Sequence, residues 1–452
     1  MNIQQAILVA TMIVAIAACN HSDNDDIASP TSPPTTFTNL QVIHLGADAP
    51  AVNITADGGN LVEALDFAMT SGNLNVAARS YNIGVDARLA DMSTANVLST
   101  NMTLEDDTHY IVAAVGSVNN DTLNLKVIEN PITDIASGYA RVQVLHATEG
   151  APTVDIYVSA PGDDIAVLTP TVTAGYLDAT GQMELTAGTY QIRITATGDK
   201  TVLFDTEVEL TADFDYFLAA VPNIYRGDSP VVLNAHVAGT SLKLFDKMAM
   251  AGVRAVHAVA DAPEVDIIVN NSIKAFNNVP FKAVSAYAEL AAGEYTLDVA
   301  ATSDNSILAL DDVPLKVENG MSYTVLATGS FTNNDIAAVL VSDKGRTRAT
   351  AAILNIIHAS YSAGNADIYL TPSMDISEAS PALADVPFRA QSGFIEVNAG
   401  EYYVTVTPTG TKTAAIGPLM ITLQANMRYS IAAVDGAVAN TFDVITFDDF
   451  NN

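Results

Sequence analysis

The chain has 452 residues, 49% of them hydrophobic, too many for a single core and too apolar for a disordered polymer. Its 51 acidic and 19 basic side chains leave a formal net charge of −32, a surface that repels phosphate backbones and argues against nucleic acid as a partner. The single cysteine, Cys19, excludes an intrachain disulfide, so stability must come from domain size and core packing.

At the amino terminus, residues 6–18 (AILVATMIVAIAA) form an apolar run of 13. That is short of the roughly 20 residues a spanning helix needs, and it suits the apolar region of a signal peptide, predicted over 1–18. The run ends in Ile16-Ala17-Ala18-Cys19, which resembles a bacterial lipobox, in which the cysteine is lipidated and becomes the mature amino terminus. Cys19 is therefore the expected lipid-attachment site; the competing reading is ordinary cleavage near Ala18. The leading MNIQQ departs from the pattern in carrying no Lys or Arg, so either the α-amino group suffices or the true start lies upstream. Residues 19–37 then form a polar, Pro/Ser/Thr-rich linker with no apolar periodicity, expected to be extended and solvated. Asn20 stands where an Asp would signal inner-membrane retention, so the resemblance implies a lipid-anchored envelope protein, at the outer membrane if the cell has one.

Four segments then repeat: LQVIHLGADAPAVNI at 40–54, VQVLHATEGAPTVDI at 142–156, VRAVHAVADAPEVDI at 253–267 and LNIIHASYSAGNADI at 354–368. His44, His146, His257 and His358 lie 102, 111 and 101 residues apart, and nine residues after each comes Asn53, Asp155, Asp266 or Asp367. An aromatic follows (Phe67, Tyr176, Phe281, Phe388), then a first tyrosine (Tyr81, Tyr190, Tyr295, Tyr402) and a second (Tyr110, Tyr216, Tyr323, Tyr429). The landmarks predict four domains, at 38–137, 138–247, 248–348 and 349–452. From His to the aromatic, the first and third copies need 23 and 24 residues and the second and fourth need 30 each. The first and third also share an Asn-Asn-Asp loop, at Asn119–Asp121 and Asn333–Asp335. Both differences point to a duplicated two-domain unit.

Within each copy, short apolar or alternating runs are separated by turn residues, as in RVQVLH, TVDIYV and TYQIRITA of the second. About seven short strands per copy predict an all-β fold: four tandem Ig-like antiparallel β-sandwich domains, each sheet with one solvated face, a small barrel being the competing closure. An apolar residue five before the first tyrosine or six before the second resembles the tyrosine corner of Ig-like sandwiches.

The units closely resemble a bacterial domain-of-unknown-function family, number forty-three ninety-seven. The likeness rests on the apolar strand ending in His, the following Ala-Pro, the Val-Asp-apolar strand and the later A-G-x-Y, and it spans residues 38–448. It implies an exported or surface-anchored protein with tandem domains, and no assigned activity.

The repeated His and Asp are the first candidates for chemistry. A His with a carboxylate can serve as a general base or a metal ligand. Against this, the pair occurs in all four copies, Asn53 lacks the charge, and no Ser, Cys or second His recurs beside it. The landmark residues are therefore expected to fasten the fold by bonding backbone in the turns. Acidic loops (Asp23–Asp26, Asp163-Asp164, Asp213 and Asp215, and the two Asn-Asn-Asp turns) make calcium a weaker expectation, because Asn and Asp also favour turns for backbone reasons. Arg226-Gly227-Asp228 matches an adhesion tripeptide, a short match in common turn chemistry. No phosphate loop, nucleophile elbow or zinc-protease pattern is present.

The resulting expectation is a non-catalytic exported lipoprotein, a rod of sandwich domains contacting a protein or glycan, with no cofactor. The rival readings are an exported enzyme or enzyme accessory acting on an extracellular polymer, which predicts an acidic cleft in one domain alone, and a self-associating envelope protein.

Overall fold

The computed structural model describes residues 36–343 and 345–451. The signal peptide, Cys19, Asp23–Asp26 and nearly all of the linker lie outside the described residues.

The first domain contains strands β1 (Phe37–His44), β2 (Val52–Ala56), β3 (Gly59–Leu65), β4 (Thr70–Ala77), β5 (Ser80–Arg88), β6 (Thr94–Thr103), β7 (Thr108–Val115) and β8 (Asn124–Pro131). They form two four-stranded sheets, in the orders β4-β1-β7-β8 and β3-β2-β5-β6. The other three domains repeat both sheets, the second adding an edge strand, Thr240–Leu244. The fold is thus all-β and made of four sandwiches, with eight or nine strands per domain rather than seven. Pairing is antiparallel except that β1 runs parallel to β7, Leu40 opposite Tyr110 and His44 opposite Ala114; the same parallel pair recurs in each of the other domains.

Alternation along the strands decides what faces what. In β1 and β7, Leu40, Val42, Tyr110 and Val112 point into the domain's own core, between its two sheets. The residues between them, Ile43, Ile111, Ala113 and Val115, point the other way and are also buried. There they meet Leu145, Phe217, Ala219 and Val221 of the second domain. The third and fourth domains join in the same manner, Val256, Leu326 and Val341 packing on Ile357, Ala432 and Phe447.

The expectation of one solvated face per sheet fails for these four sheets, because their strands are apolar on both sides and bury both. The expected rod of domains is corrected in the same stroke: sandwiches pair face to face, first with second and third with fourth. The pairing matches the duplicated two-domain unit read from the spacings.

The length difference between copies has a structural counterpart. In the first and third domains, the strand following Asn53 or Asp266 turns back in a tight hairpin, Ala56 opposite Gly59 and Val269 opposite Ile273. In the second and fourth, a longer loop intervenes and is pinned by a buried tyrosine and a lysine. Lys200 Nζ lies 4.3 Å from the Tyr157 ring centroid, and Lys412 Nζ lies 4.6 Å from that of Tyr369.

Phe37–Asn452 forms one compact unit, so the two pairs also touch. The segment joining the third and fourth domains crosses the first: Ala349 N–H donates to Asp48 O at 2.8 Å, and Arg346 Nε donates to Ala47 O at 2.9 Å. The Arg346 guanidinium also pairs with Asp66. Arg226 of the adhesion-like tripeptide is engaged as well. Its N–H donates to Gly320 O at 2.9 Å, and its guanidinium sits 4.7 Å from the Tyr287 ring centroid in the third domain. Arg226 thereby docks one pair on the other.

Candidate functional site

The landmark histidines end the first strand of each domain and are buried, 1–2% exposed. His44 Nδ1 accepts the Gly46 N–H at 3.2 Å, which places the proton on Nε2, and Nε2–H donates to Pro50 O at 2.9 Å. The pattern repeats on Pro152 O (3.3 Å), Pro263 O (3.0 Å) and Gly364 O (2.7 Å), each time with Nδ1 accepting the N–H two residues on. Burial lowers the pKa of His44 to about 4 and also lowers those of His146 and His257. A neutral imidazole with both nitrogens committed to backbone has no lone pair left for a base or a metal.

The landmark carboxylates do similar work. Asp155 accepts from Thr173 Oγ1 (2.6 Å) and Gly198 N–H (2.9 Å), and Asp367 from the N–H groups of Asp385 (2.8 Å) and Gly410 (2.9 Å). Asp266 takes Lys274 Nζ at 2.8 Å and Asn278 N–H at 2.9 Å, while Asn53 Oδ1 accepts Ala64 N–H at 3.0 Å. An amide oxygen suffices in the first copy because the partner is a backbone N–H.

Both tyrosine sets close corners. The hydroxyls of Tyr81, Tyr190, Tyr295 and Tyr402 donate to the carbonyl four residues back at 2.9–3.0 Å. Those of Tyr110, Tyr216, Tyr323 and Tyr429 accept the N–H five residues back at 3.0–3.1 Å. Tyr110→Phe is therefore expected to cost about 1 kcal/mol, the net worth of one such bond. A urea midpoint equal to wild type would show that the corner is held by packing alone.

One fourfold feature carries no mark in the sequence. After each landmark aromatic comes a residue with positive φ, Ala68, Leu177, Lys282 or Arg389, whose N–H donates to the landmark histidine's carbonyl at 2.7–2.9 Å. Positive φ is usually marked by Gly or Asn, and here no residue type marks it.

The Asp163-Asp164 loop and the two Asn-Asn-Asp turns are held by backbone N–H groups. Asp164 Oδ1 accepts Ala166 N–H at 3.0 Å, and the Asn119 turn is held by Asp48, which accepts the N–H groups of Val118 (3.0 Å) and Asn119 (2.9 Å). Asp261 holds the Asn333 turn in the same way through Phe331 and Thr332. Three other carboxylates, Asp298, Asp311 and Asp312, come within 4.8 Å of one another.

The landmarks thus act alike in all copies, and the site lies where the copies differ. Between the first and second domains is a polar cleft of about 500 Å³, within the roughly 300–1,000 Å³ usual for small-molecule sites. Gln41, Asn73 and His109 line it from the first domain, and Arg141, Asp215 and His236 from the second. Asn73, Asp213 and Gly239 are exposed at its mouth, while Gln41 and His236 are buried.

His236 stands on strand Val231–Val237, stacked on Phe217 with ring centroids 6.3 Å apart. Its Nδ1 lies 2.9 Å from Ser241 Oγ; its Nε2 and that of His109 have no hydrogen-bond partner among the described residues. Burial lowers the His236 pKa to about 4 and also lowers that of His109. Arg141 is held by Asp215 (Nη2 to Oδ2, 2.9 Å) and by Thr133 O (2.9 Å) and Oγ1 (2.8 Å). The domains are joined beside the cleft by a reciprocal amide pair, Asn130 with Gln143, at 2.8 and 3.1 Å. At the rim the chains approach through Gly72 (φ 67°) and Gly239 (φ 76°); a Cβ on Gly72 would stand 3.2 Å from Gly239 Cα.

In the other pair the corresponding place is filled. Three residues before the landmark histidines stand Gln41 and Gln143 in one pair and Arg254 and Asn355 in the other. Phe447, opposite Ser430, takes the register position of His236, opposite Phe217. Arg254 reaches across to Asp448 Oδ1 at 2.5 Å, its guanidinium 4.8 Å from the Tyr287 and Phe447 ring centroids. Arg428 reciprocates by pairing with Asp343.

Fold and site together define a tandem β-sandwich protein whose domains pair face to face and whose first pair holds a ligand-sized cleft. The chain belongs to the family described as Domain of unknown function (DUF4397), whose model matches residues 38–157, 251–369 and 352–452. No curated protein matches. Among solved structures, "The Bacillus anthracis TIE protein" is 13% identical, with 88% of this chain and 68% of that chain covered and a TM-score of 0.17. A superposition that loose carries no argument.

Proposed function

We propose that this protein is a non-catalytic exported lipoprotein, anchored by lipid on Cys19 at the cell envelope, that binds a protein or glycan through its paired sandwich domains. The observation that carries the binding reading is the polar cleft between the first two domains, kept open where the second pair is closed by Arg254 and Phe447. The anchor rests on the apolar run, the lipobox-like Ile16–Cys19 and the polar linker. An enzyme reading draws on the same cleft, which holds His109, His236 and Asp215. Asp215 is already paired with Arg141, which disfavours its use as a base.

Two measurements test the proposal. Cys19→Ser is expected to abolish incorporation of labelled palmitate and to release the protein from the membrane fraction; palmitate labelling of that variant would sink the anchor. A glycan and protein array probed with the full chain is expected to yield a bound partner that is recovered chemically intact. Recovery of a cleaved partner would transfer the reading to an enzyme.

A further inference from the structure

We infer that the cleft between the first and second domains binds a neutral sugar unit, a monosaccharide or disaccharide segment, by hydrogen bonds from amide and imidazole groups to its hydroxyls. The inference rests on the binding role proposed above and names the class of ligand that this one site takes.

Three observations select it. The first is unmet hydrogen-bonding capacity. His236, 1% exposed, and His109 both line the cleft, and the Nε2 of each is buried with no hydrogen-bond partner among the described residues. A buried polar atom without a partner is costly, and a ligand hydroxyl toward which these rings turn on binding would supply the missing bond.

The second is charge. Arg141 is the one cation lining the cleft among the described residues, and Asp215 and Thr133 already use its donors. Asp213 adds a carboxylate at the exposed mouth. A phosphate or carboxylate ligand would meet a guanidinium whose charge Asp215 already balances and a further carboxylate, Asp213, at the mouth. A hydroxyl group meets neither obstacle, because it both donates and accepts. Gln41, Asn73 and Gln182 supply amides with the same double capacity, and the imidazoles are held neutral by burial.

The third is the internal comparison. The second pair has the same strands in the same register, and there Arg254 and Phe447 occupy the space with a buried ion pair and a ring. The fold therefore does not require the opening, and the first pair has it because Gln41, Gln143 and His236 stand at those positions.

The test uses the full chain and saturation-transfer NMR with glucose, galactose, N-acetylglucosamine and cellobiose, set against glucuronate, inorganic phosphate and choline. At least one neutral sugar is expected to bind, with a shift of the His236 side-chain nitrogen signals. His236→Phe, which copies the residue at the corresponding place in the second pair, is expected to weaken binding at least tenfold. Asn73→Ala, at the exposed mouth and so neutral for folding, should weaken it at least threefold. Silence from every neutral sugar, binding of the anions or choline alone, or equal affinity in both variants would overturn the inference. If His236→Phe leaves capture of an intact array ligand unchanged, the wider binding role stands and this assignment of the cleft fails.

Discussion

Arg254→Ala is expected to lower the stability of the third and fourth domains by about 3–5 kcal/mol, the usual cost of removing one partner from a buried ion pair. Both side chains are secluded, Arg254 at 8% and Asp448 at 12% exposure. Removing the guanidinium leaves Asp448 with the Ser430 hydroxyl at 2.6 Å and takes away the Thr324 bond at 2.8 Å. It also opens space between Tyr287 and Phe447. Combining Arg254→Met with Asp448→Asn should recover most of the loss, because the stranded charge is gone. Urea unfolding followed by hydrogen exchange in strands Ala251–His257 and Arg428–Asp435 would measure both variants. A loss below about 1 kcal/mol for the single variant, the range of an exposed pair, would mean that the pair is solvated and that the interface is held by its apolar contacts.

The second large effect is acid destabilisation of the first pair, beginning well above the carboxylate range. His44 and His236 have folded pKa values lowered from 6.5 to about 4. The unfolded chain therefore takes up protons that the folded chain refuses as pH falls below 6.5. Stability is whole above that point and is lost progressively down to about pH 4. Each histidine accounts for about 3 kcal/mol at the bottom of the window, as an order of magnitude. The lowered carboxylates, Asp155 and Asp261 among them, act later: their contribution is present above 3.8 and is lost below it. Urea midpoints measured from neutral pH down to about pH 4 should fall in wild type and fall less steeply in His236→Phe, which removes one of the two largest shifts in the first pair, His109 and His146 being lowered as well. An unchanged slope in that variant would show that His236 does not titrate in this range.

Much of the fold was legible because the landmark bonds are local in sequence. His44 reaches Pro50 and Gly46, Tyr81 reaches Ala77, and Tyr110 reaches Glu105. A bond spanning two to six residues forces fixed spacing, and fixed spacing is what repeats. The strand count was less legible. Short edge strands such as Val172–Ala174 and Ile395–Val397 have three residues each, too few for a periodic signal. The paired faces had left a trace in the unbroken apolar runs of the histidine and second-tyrosine strands, which suit burial on both sides. Apolar runs say that a face is covered without saying by what.

The cleft was not legible. Gln41, His109, Arg141 and His236 lie on four strands of two domains, up to 195 positions apart, and none belongs to a repeated landmark. His236 in particular reads as one polar residue in an apolar strand, VVLNAHV. The four copies of one sandwich, their landmark fastenings and their duplication in pairs were determined by the sequence alone, since backbone bonding and side-chain alternation act over a few residues. Tertiary structure decided which faces pair, that Arg226 and Arg346 dock the pairs together, and that one interface is filled by Arg254 and Phe447 while the other stays open. Those outcomes depend on which side chains meet across a contact between domains, and a linear spacing does not encode that meeting.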